Sequence, residues 1–360
     1  MKICIVGLPL SGKSSVFGAL TGASPDAAAA KGVDPVAVVK VPDDRLERLA
    51  ELFEPKKKTA ASIEFMELAG IAAGESNKSG FTEQFLGKLR AADALLAVVR
   101  SFRDPSVPHA EDSIDAQRDL SALETEFLLS DLGIVENRIE RLKKQVASKK
   151  SDRDARELTV LKKCRFLLEA ETPLRRAEFK HDEEVLLRGF RFLTQKPLIA
   201  VINLDEDEIR RESKVLAPFA PWASEPRTAV IGLSARLEQE IRQLTGEEAD
   251  QFRADFGIDS SALDRLIATA YRMMGLVSFF TVGSDEVKAW TVSQGTAAAR
   301  AASVIHSDIE RGFIRAEVIS YDHFAGHGNI AKCRTEGTLR LEGKEYPVRD
   351  GDIINFRFAV

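Results

Sequence analysis

Short apolar runs alternate along the chain with longer segments whose apolar residues recur every three or four positions. Lys2 to Val6 closes at Gly7 and predicts a buried strand; Ser14 to Leu20, with Val16, Ala19 and Leu20 on one face, predicts a helix. Residues 23–35 are small and bounded by proline, which predicts a mobile loop. Val36 to Val41 and Ser62 to Leu68 predict strands. Asp43 to Phe53 predicts a helix capped by Asp43 or Asp44, and Phe81 to Ala91 another. Ala94 to Val99, Pro197 to Asn203 and Thr228 to Leu233 are apolar throughout, as strands buried on both faces are. Strands alternating with helices predict a parallel sheet.

Residues 114–176 carry no strand signal. Ile134, Ile139, Leu142 and Val146 make one helical stripe, and Leu158, Leu161, Phe166 and Leu168 a second, with the polar turn Ser148 to Ala155 between them. The pattern predicts an antiparallel helical hairpin inserted in the α/β domain. Beyond Asp264 the pattern changes to short strands: Leu276 to Val282, Ala289 to Val292, Phe313 to Ile319 and the EGK- and DGD-punctuated C-terminus.

Composition narrows the class. The 360 residues are 44% hydrophobic and 30% charged, enough for more than one globular core. A net charge of −5 argues against wholesale polyanion binding. Cys4, Cys164 and Cys333 are far apart, so neither a disulfide framework nor a zinc site is expected. No apolar stretch approaches the roughly 18 residues that span a bilayer. A cytoplasmic protein without a membrane partner is expected.

The first chemistry follows the first strand. Gly7-Leu8-Pro9-Leu10-Ser11-Gly12-Lys13-Ser14, followed by Ser15, matches the phosphate-binding pattern GxxxxGK[ST]. Its glycines allow a tight turn with inward N–H groups, Lys13 supplies charge for β- and γ-phosphates, and the Ser14 hydroxyl can ligate Mg²⁺. A second signal follows the buried run at 197–203: Asn203-Leu204-Asp205-Glu206. A guanine-specific site offers Asn-Lys-x-Asp there. The lysine is absent and Glu206 stands at the acidic position. An acidic helix cap is the plain alternative for Asp205 and Glu206.

With FMELAG (Phe65 to Gly70), FLTQKP (Phe192 to Pro197), FFTVGSDEVKAWTV, VIHSDIERGFIRAEVISYDHF and EGKEYPVRDGDIINFRF, these motifs resemble the YchF (Obg-like) ATPase family over nearly the whole chain. The resemblance implies a Ras-like P-loop NTPase domain of α/β class at 1–112 and 180–276, an inserted α-helical hairpin at 113–179, and a β-grasp-like (TGS) α+β domain at 277–360. It implies ATP rather than GTP, held by residues 7–15, by Asn203, Leu204 and Glu206, and by Ser234 and Ala235 in the loop that closes over the base. Mg²⁺ would be served by Ser14 and Glu67, and catalysis by Lys13 and Gly70. Partners implied are ATP and the ribosome or RNA. No DNA-specific signal is present, and a monomer is expected.

The sequence departs from the family pattern on the γ-phosphate side. Leu10-Ser11 replaces Asn-Val, Glu67 replaces the magnesium-side Asp, and residues 23–58 contain no Thr. Ile71 follows Gly70, where many GTPases carry a water-orienting Gln. Slow turnover is expected. Three functions stay open: a switch ATPase on ribosomes or RNA, a hydrolysis-deficient ATP-binding module acting through its hairpin and TGS surfaces, and, more remotely, a metabolite kinase.

Residues 138–165 hold 11 Lys/Arg against 4 Asp/Glu, which is either a basic arm for RNA or a solvated face. His306 and Asp308 are expected to be structural, Trp290 to belong to a core, and Lys56 to Lys58 to form an exposed loop.

Overall fold

The computed structural model describes residues 1–22, 34–68, 81–108, 113–148, 151–256, 258 and 261–359. Residues 23–33 of the loop expected over 23–35, and the segment around Gly70 and Ile71, lie outside them. Two units emerge: Met1–Ala37 with Glu64–Leu266, and Val38–Ile63 with Ile267–Val360.

Strands are numbered along the chain. One sheet contains β1 (Lys2–Val6), β2 (Val36–Lys40), β4 (Ser62–Glu67), β5 (Ala94–Arg100), β6 (Leu198–Asn203) and β7 (Thr228–Leu233), in the order β2-β4-β1-β5-β6-β7. β1 pairs in parallel with both β4 and β5, β5 with β6, and β6 with β7. β5 and β6 are buried along their whole lengths, which is why they carry no polar alternation. Their side chains Leu95, Ala97, Val99, Ala200 and Ile202 pack with Leu86 and Leu89 of the helix Glu83–Ala91, and with Leu120, Leu123 and Phe127. Each such leucine or valine contributes about 1.5–3 kcal/mol of burial.

The expected hairpin is the helix pair Ala116–Ser148 and Asp152–Glu169. Val135, Ile139, Leu142, Leu161, Cys164 and Leu168 form its core. Phe166, expected on that stripe, is 71% exposed. Buried Arg175 pairs with Glu124, donates to Thr228 Oγ1 of β7 (2.9 Å), and thereby ties the end of the hairpin to the sheet. Asp131, fully buried, accepts hydrogen bonds from Leu193 N–H (3.0 Å) and Thr194 N–H (2.7 Å) and fixes the FLTQKP turn.

The second sheet contains β3 (Lys57–Thr59), β8 (Leu276–Thr281), β9 (Glu286–Ser293), β10 (Phe313–Ser320), β11 (Arg340–Glu342) and β12 (Asp352–Phe358), in the order β11-β10-β12-β8-β9-β3. β8 runs antiparallel to β9 and parallel to β12, and β10 antiparallel to β11 and β12. The helix Ala298–Ile305 covers this mixed sheet, with Ala298, Ala301 and Ala302 against Val277, Phe279 and Phe356. This is a β-grasp arrangement.

One expectation is corrected in this unit. Lys57–Thr59 is a strand rather than a loop: it pairs in parallel with β9, while Lys57 stays 70% exposed. Lysines suit an edge strand, because their charge deters further pairing. Residues 38–63 cluster with Ile267–Val360 in the second unit. That edge strand is the physical reason. Trp290 packs partly buried against the unit's core and donates to Thr281 Oγ1 (2.9 Å). His306 caps the helix Ser307–Arg311 by accepting from Asp308 N–H.

Candidate nucleotide-binding site

In an open parallel sheet, ligands bind at the carboxyl ends of the strands where the strand order reverses. β1 is that point here, with β4 on one side and β5 on the other. The chain leaves β1 at Gly7. A Cβ there would lie 2.3 Å from the Val98 carbonyl oxygen of β5, so only glycine fits. The loop ends at Gly12 (φ 90°), the N-cap of helix α1 (Lys13–Thr21). That cap makes no side-chain hydrogen bond, and the first turn carries no acidic residue. The first N–H groups of α1 and its positive end therefore suit an anion. Leu10 sits at φ 61°, a left-handed conformation that costs a non-glycine residue about 1–2 kcal/mol, with its side chain 51% exposed.

Lys13 is 7% exposed, and its Nζ donates to the carbonyls of Gly7 (3.1 Å) and Leu8 (2.8 Å). Burial pushes its ammonium down to about 8, against the opposing pull of Glu67. The Ser14 hydroxyl donates to Glu67 Oε1 at 2.5 Å. Burial raises the Glu67 carboxyl above its usual range, while Ser14 and Lys13 work the other way. A hydroxyl and a carboxylate side by side are hard oxygen donors of the kind Mg²⁺ takes. Among the described residues no group of three or more His, Cys, Asp or Glu could hold a metal.

Asn203, at the end of β6, is 4% exposed and bridges two loops. Its Nδ2–H donates to the Ser11 carbonyl (3.2 Å), and its Oδ1 accepts from Ala235 N–H (3.1 Å). A Cβ on Gly12 would lie 2.2 Å from Asn203 Nδ2, so the clamp itself requires glycine at 12. Ser234 caps the helix Ala235–Gln243, accepting from Leu237 N–H (3.4 Å). Next to α1 these loops enclose a cavity of about 530 Å³, within the range of small-molecule sites. Ser15, Asn203, Leu204, Glu206, Ser234 and Ala235 line it.

Residues 7–15, Asn203, Leu204, Glu206, Ser234 and Ala235 thus converge on one end of the sheet, with Glu67 beside Ser14. Gly70 lies outside the described residues. Asp205 also caps a helical turn, Glu206–Arg211, so the acidic cap foreseen for this stretch is present as well. Sequence reasoning missed Phe102, Arg103, Asp104, Arg236 and Gln239, which also line the cavity. The signal was topological: each follows the carboxyl end of β5 or β7. Arg100 stacks its guanidinium 4.5 Å from the Phe102 ring, and Gln239 donates to the Ser15 carbonyl (2.8 Å).

Residues 276–359 match the YchF-GTPase_C family, described as a protein of unknown function, and residues 2–163 match MMR_HSR1, described as 50S ribosome-binding GTPase. The chain is 41% identical to the ribosome-binding ATPase YchF of Bacillus subtilis, over 99% of this chain and 98% of that protein. It is 40% identical to the ribosome-binding ATPase YchF of Haemophilus ducreyi, over 100% and 99%. Among solved structures, the Schizosaccharomyces pombe YchF GTPase superposes with a TM-score of 0.88 at 32% identity, covering 99% of this chain and 97% of that one. A GTP-binding protein from Pyrococcus horikoshii shares the fold at TM-score 0.62 and 19% identity, covering 100% of both chains.

Proposed function

The chain belongs to the YchF family, and from that premise we propose that it is an ATPase that associates with ribosomes and uses its nucleotide state as a switch. The observation that carries the reading is the Asn203 clamp. One buried carboxamide joins the phosphate-loop carbonyl of Ser11 to the base-side loop at Ala235, and Asn203 and Ala235 both line the cavity. Phosphates lie on the N–H groups at the start of α1 with Lys13 as counter-charge, and the base lies against Leu204, Ser234 and Ala235. Lys13 is suited to this task because it is held in place by two carbonyls and desolvated, which strengthens its field on an arriving phosphate.

Ser14 and Glu67 fit Mg²⁺ and would hold it with the nucleotide, where it supplies neutralisation of phosphate charge. Glu206 in place of aspartate favours adenine over guanine. No helix among the described residues is long and apolar enough to cross a membrane. Action in the cytoplasm as a monomer completes the proposal.

Turnover is slow without the ribosome, because the sequence offers neither a switch threonine nor the water-orienting glutamine. The names of the relatives favour hydrolysis over a module that only holds ATP. Phosphate release from MgATP, with and without ribosomes, tests the reading. Release above background that Lys13→Ala removes is expected, and no release under either condition refutes it.

A further inference from the structure

Four acidic residues follow β6, and the structure sorts them. Glu208 Oε2 accepts from Asp205 N–H (3.3 Å) and from the Ser101 hydroxyl (3.4 Å). Asp205 is occupied by backbone: its Oδ2 accepts Arg103 N–H at 2.9 Å. Asp207 lies 3.8 Å from Arg211 of its own helical turn. Glu206 lies at the cavity, and its partner comes from the opposite wall: Arg236 Nε to Glu206 Oε1, 3.1 Å. Arg236 immediately follows Ala235, whose N–H is held by Asn203, so the clamp that fixes the phosphate loop also fixes where Arg236 starts. Its guanidinium is steadied from behind by Glu240 at 3.4 Å on the same helix. Hydrogen bonds from Ser106 chiefly hold the Asp104 carboxyl low, and Arg100 and then Arg236 add to that.

We propose that Arg236 is a specificity-determining partner of Glu206, adding to the effect of the longer Glu arm by offsetting the carboxylate charge that could still attract the two donors of guanine. This inference rests on the cavity being the base site of the proposed function. Guanine presents two adjacent donors, N1–H and N2–H, which a carboxylate with both oxygens free accepts together. Adenine presents no such pair on that edge. The Arg236 Nε–H itself donates to Glu240, so what the guanidinium does at Glu206 Oε1 is offset the charge that would strengthen both bonds. The effect acts against guanine rather than for adenine, so it appears in the ratio of affinities. It also keeps a mouth lined by Asp104, Asp205, Glu206 and Asp207 from repelling a polyanion, so losing Arg236 weakens both nucleotides in common.

The test titrates MgADP and MgGDP into the wild type, Arg236→Ala, Arg236→Lys and Arg236→Ala/Glu206→Ala. Diphosphates keep hydrolysis out of the readout. Arg236 is 76% exposed, so a modest shift is expected. Arg236→Ala moves the ADP-to-GDP affinity ratio about 3–10-fold toward guanine, less than a fully buried charged hydrogen bond would give. Arg236→Lys keeps most of the wild-type ratio, and the double variant loses the shift. Higher salt narrows the difference between wild type and Arg236→Ala. An unchanged ratio in Arg236→Ala, or a shift that survives removal of Glu206, overturns the inference alone. Failure of the wild type to bind either nucleotide overturns the inference and the proposed function together.

Discussion

Removing the Asn203 side chain separates the clamp from everything else in the site. Asn203→Ala deletes the donor to the Ser11 carbonyl (3.2 Å) and the acceptor for Ala235 N–H (3.1 Å). Asn203, Ser11 and Ala235 are all buried, at 4%, 2% and 1% exposure, so water does not readily replace the lost partners. Each group left unpaired costs about 1–3 kcal/mol, which gives about 2–6 kcal/mol for the pair.

The geometry also couples Asn203 to Gly12. In Gly12→Ala the new methyl meets Asn203 Nδ2 at 2.2 Å and the backbone stays at φ 90°. The backbone strain alone costs about 1–2 kcal/mol, and the clash adds to it. Once Asn203 is alanine the clash is gone and only the strain remains. Urea unfolding of the four proteins in this double-mutant cycle measures the coupling. The double variant is expected to be more stable than additivity allows by at least about 1 kcal/mol. Additivity within about 0.5 kcal/mol would refute the clamp, as would a loss under about 0.5 kcal/mol in Asn203→Ala.

Other residues give sharper readouts of single features. Arg175→Ala leaves Glu124 and Glu225 without their buried partner and should lower unfolding stability by about 3–5 kcal/mol, while Arg176→Ala, whose guanidinium is 39% exposed, should cost under about 1 kcal/mol. Nucleotide binding should draw in protons near pH 8.5. Burial holds the Lys13 ammonium at about 8, a phosphate beside it raises that value, and so affinity falls as pH rises from 7 to 9. Calorimetric enthalpies in buffers of different ionisation heat check this, and buffer-independent enthalpies at pH 8.5 would contradict it. Glu67→Ala should raise the Mg²⁺ concentration needed for ATP binding, with metal-free ADP binding nearly unchanged, as a Mg²⁺ titration would read directly.

The sheet was legible in the sequence because buried parallel strands leave a plain trace. Ala94–Arg100 and Leu198–Asn203 contain no polar alternation to confuse the period. The phosphate loop was legible because glycine and lysine at fixed spacing answer local geometry: Gly7 lies against the β5 backbone and Gly12 at positive φ. Lys57–Thr59 was not legible as a strand. Three residues carry too short a period, and what makes them a strand is the free edge of β9, more than 200 residues later in the chain. Phe166 reads as core from its spacing but faces outward, since helical periodicity does not say where a partner helix ends its cover. At the site, Asn203 was read as a base-side residue, yet its amide is spent on two backbone partners; only tertiary structure shows this. Arg236 lacked any motif, and its place comes from the end of β7 meeting the end of β6.

The central claim is that one cavity beside α1 binds adenine nucleotide and supports its hydrolysis. Calorimetric titration of MgATP and MgGTP, followed by phosphate release on the same samples with ribosomes added, tests it most directly. Tighter binding of ATP than of GTP, with release that Lys13→Ala abolishes, is the expected result. Preference for GTP, or ATP binding with no release even on ribosomes, would contradict it.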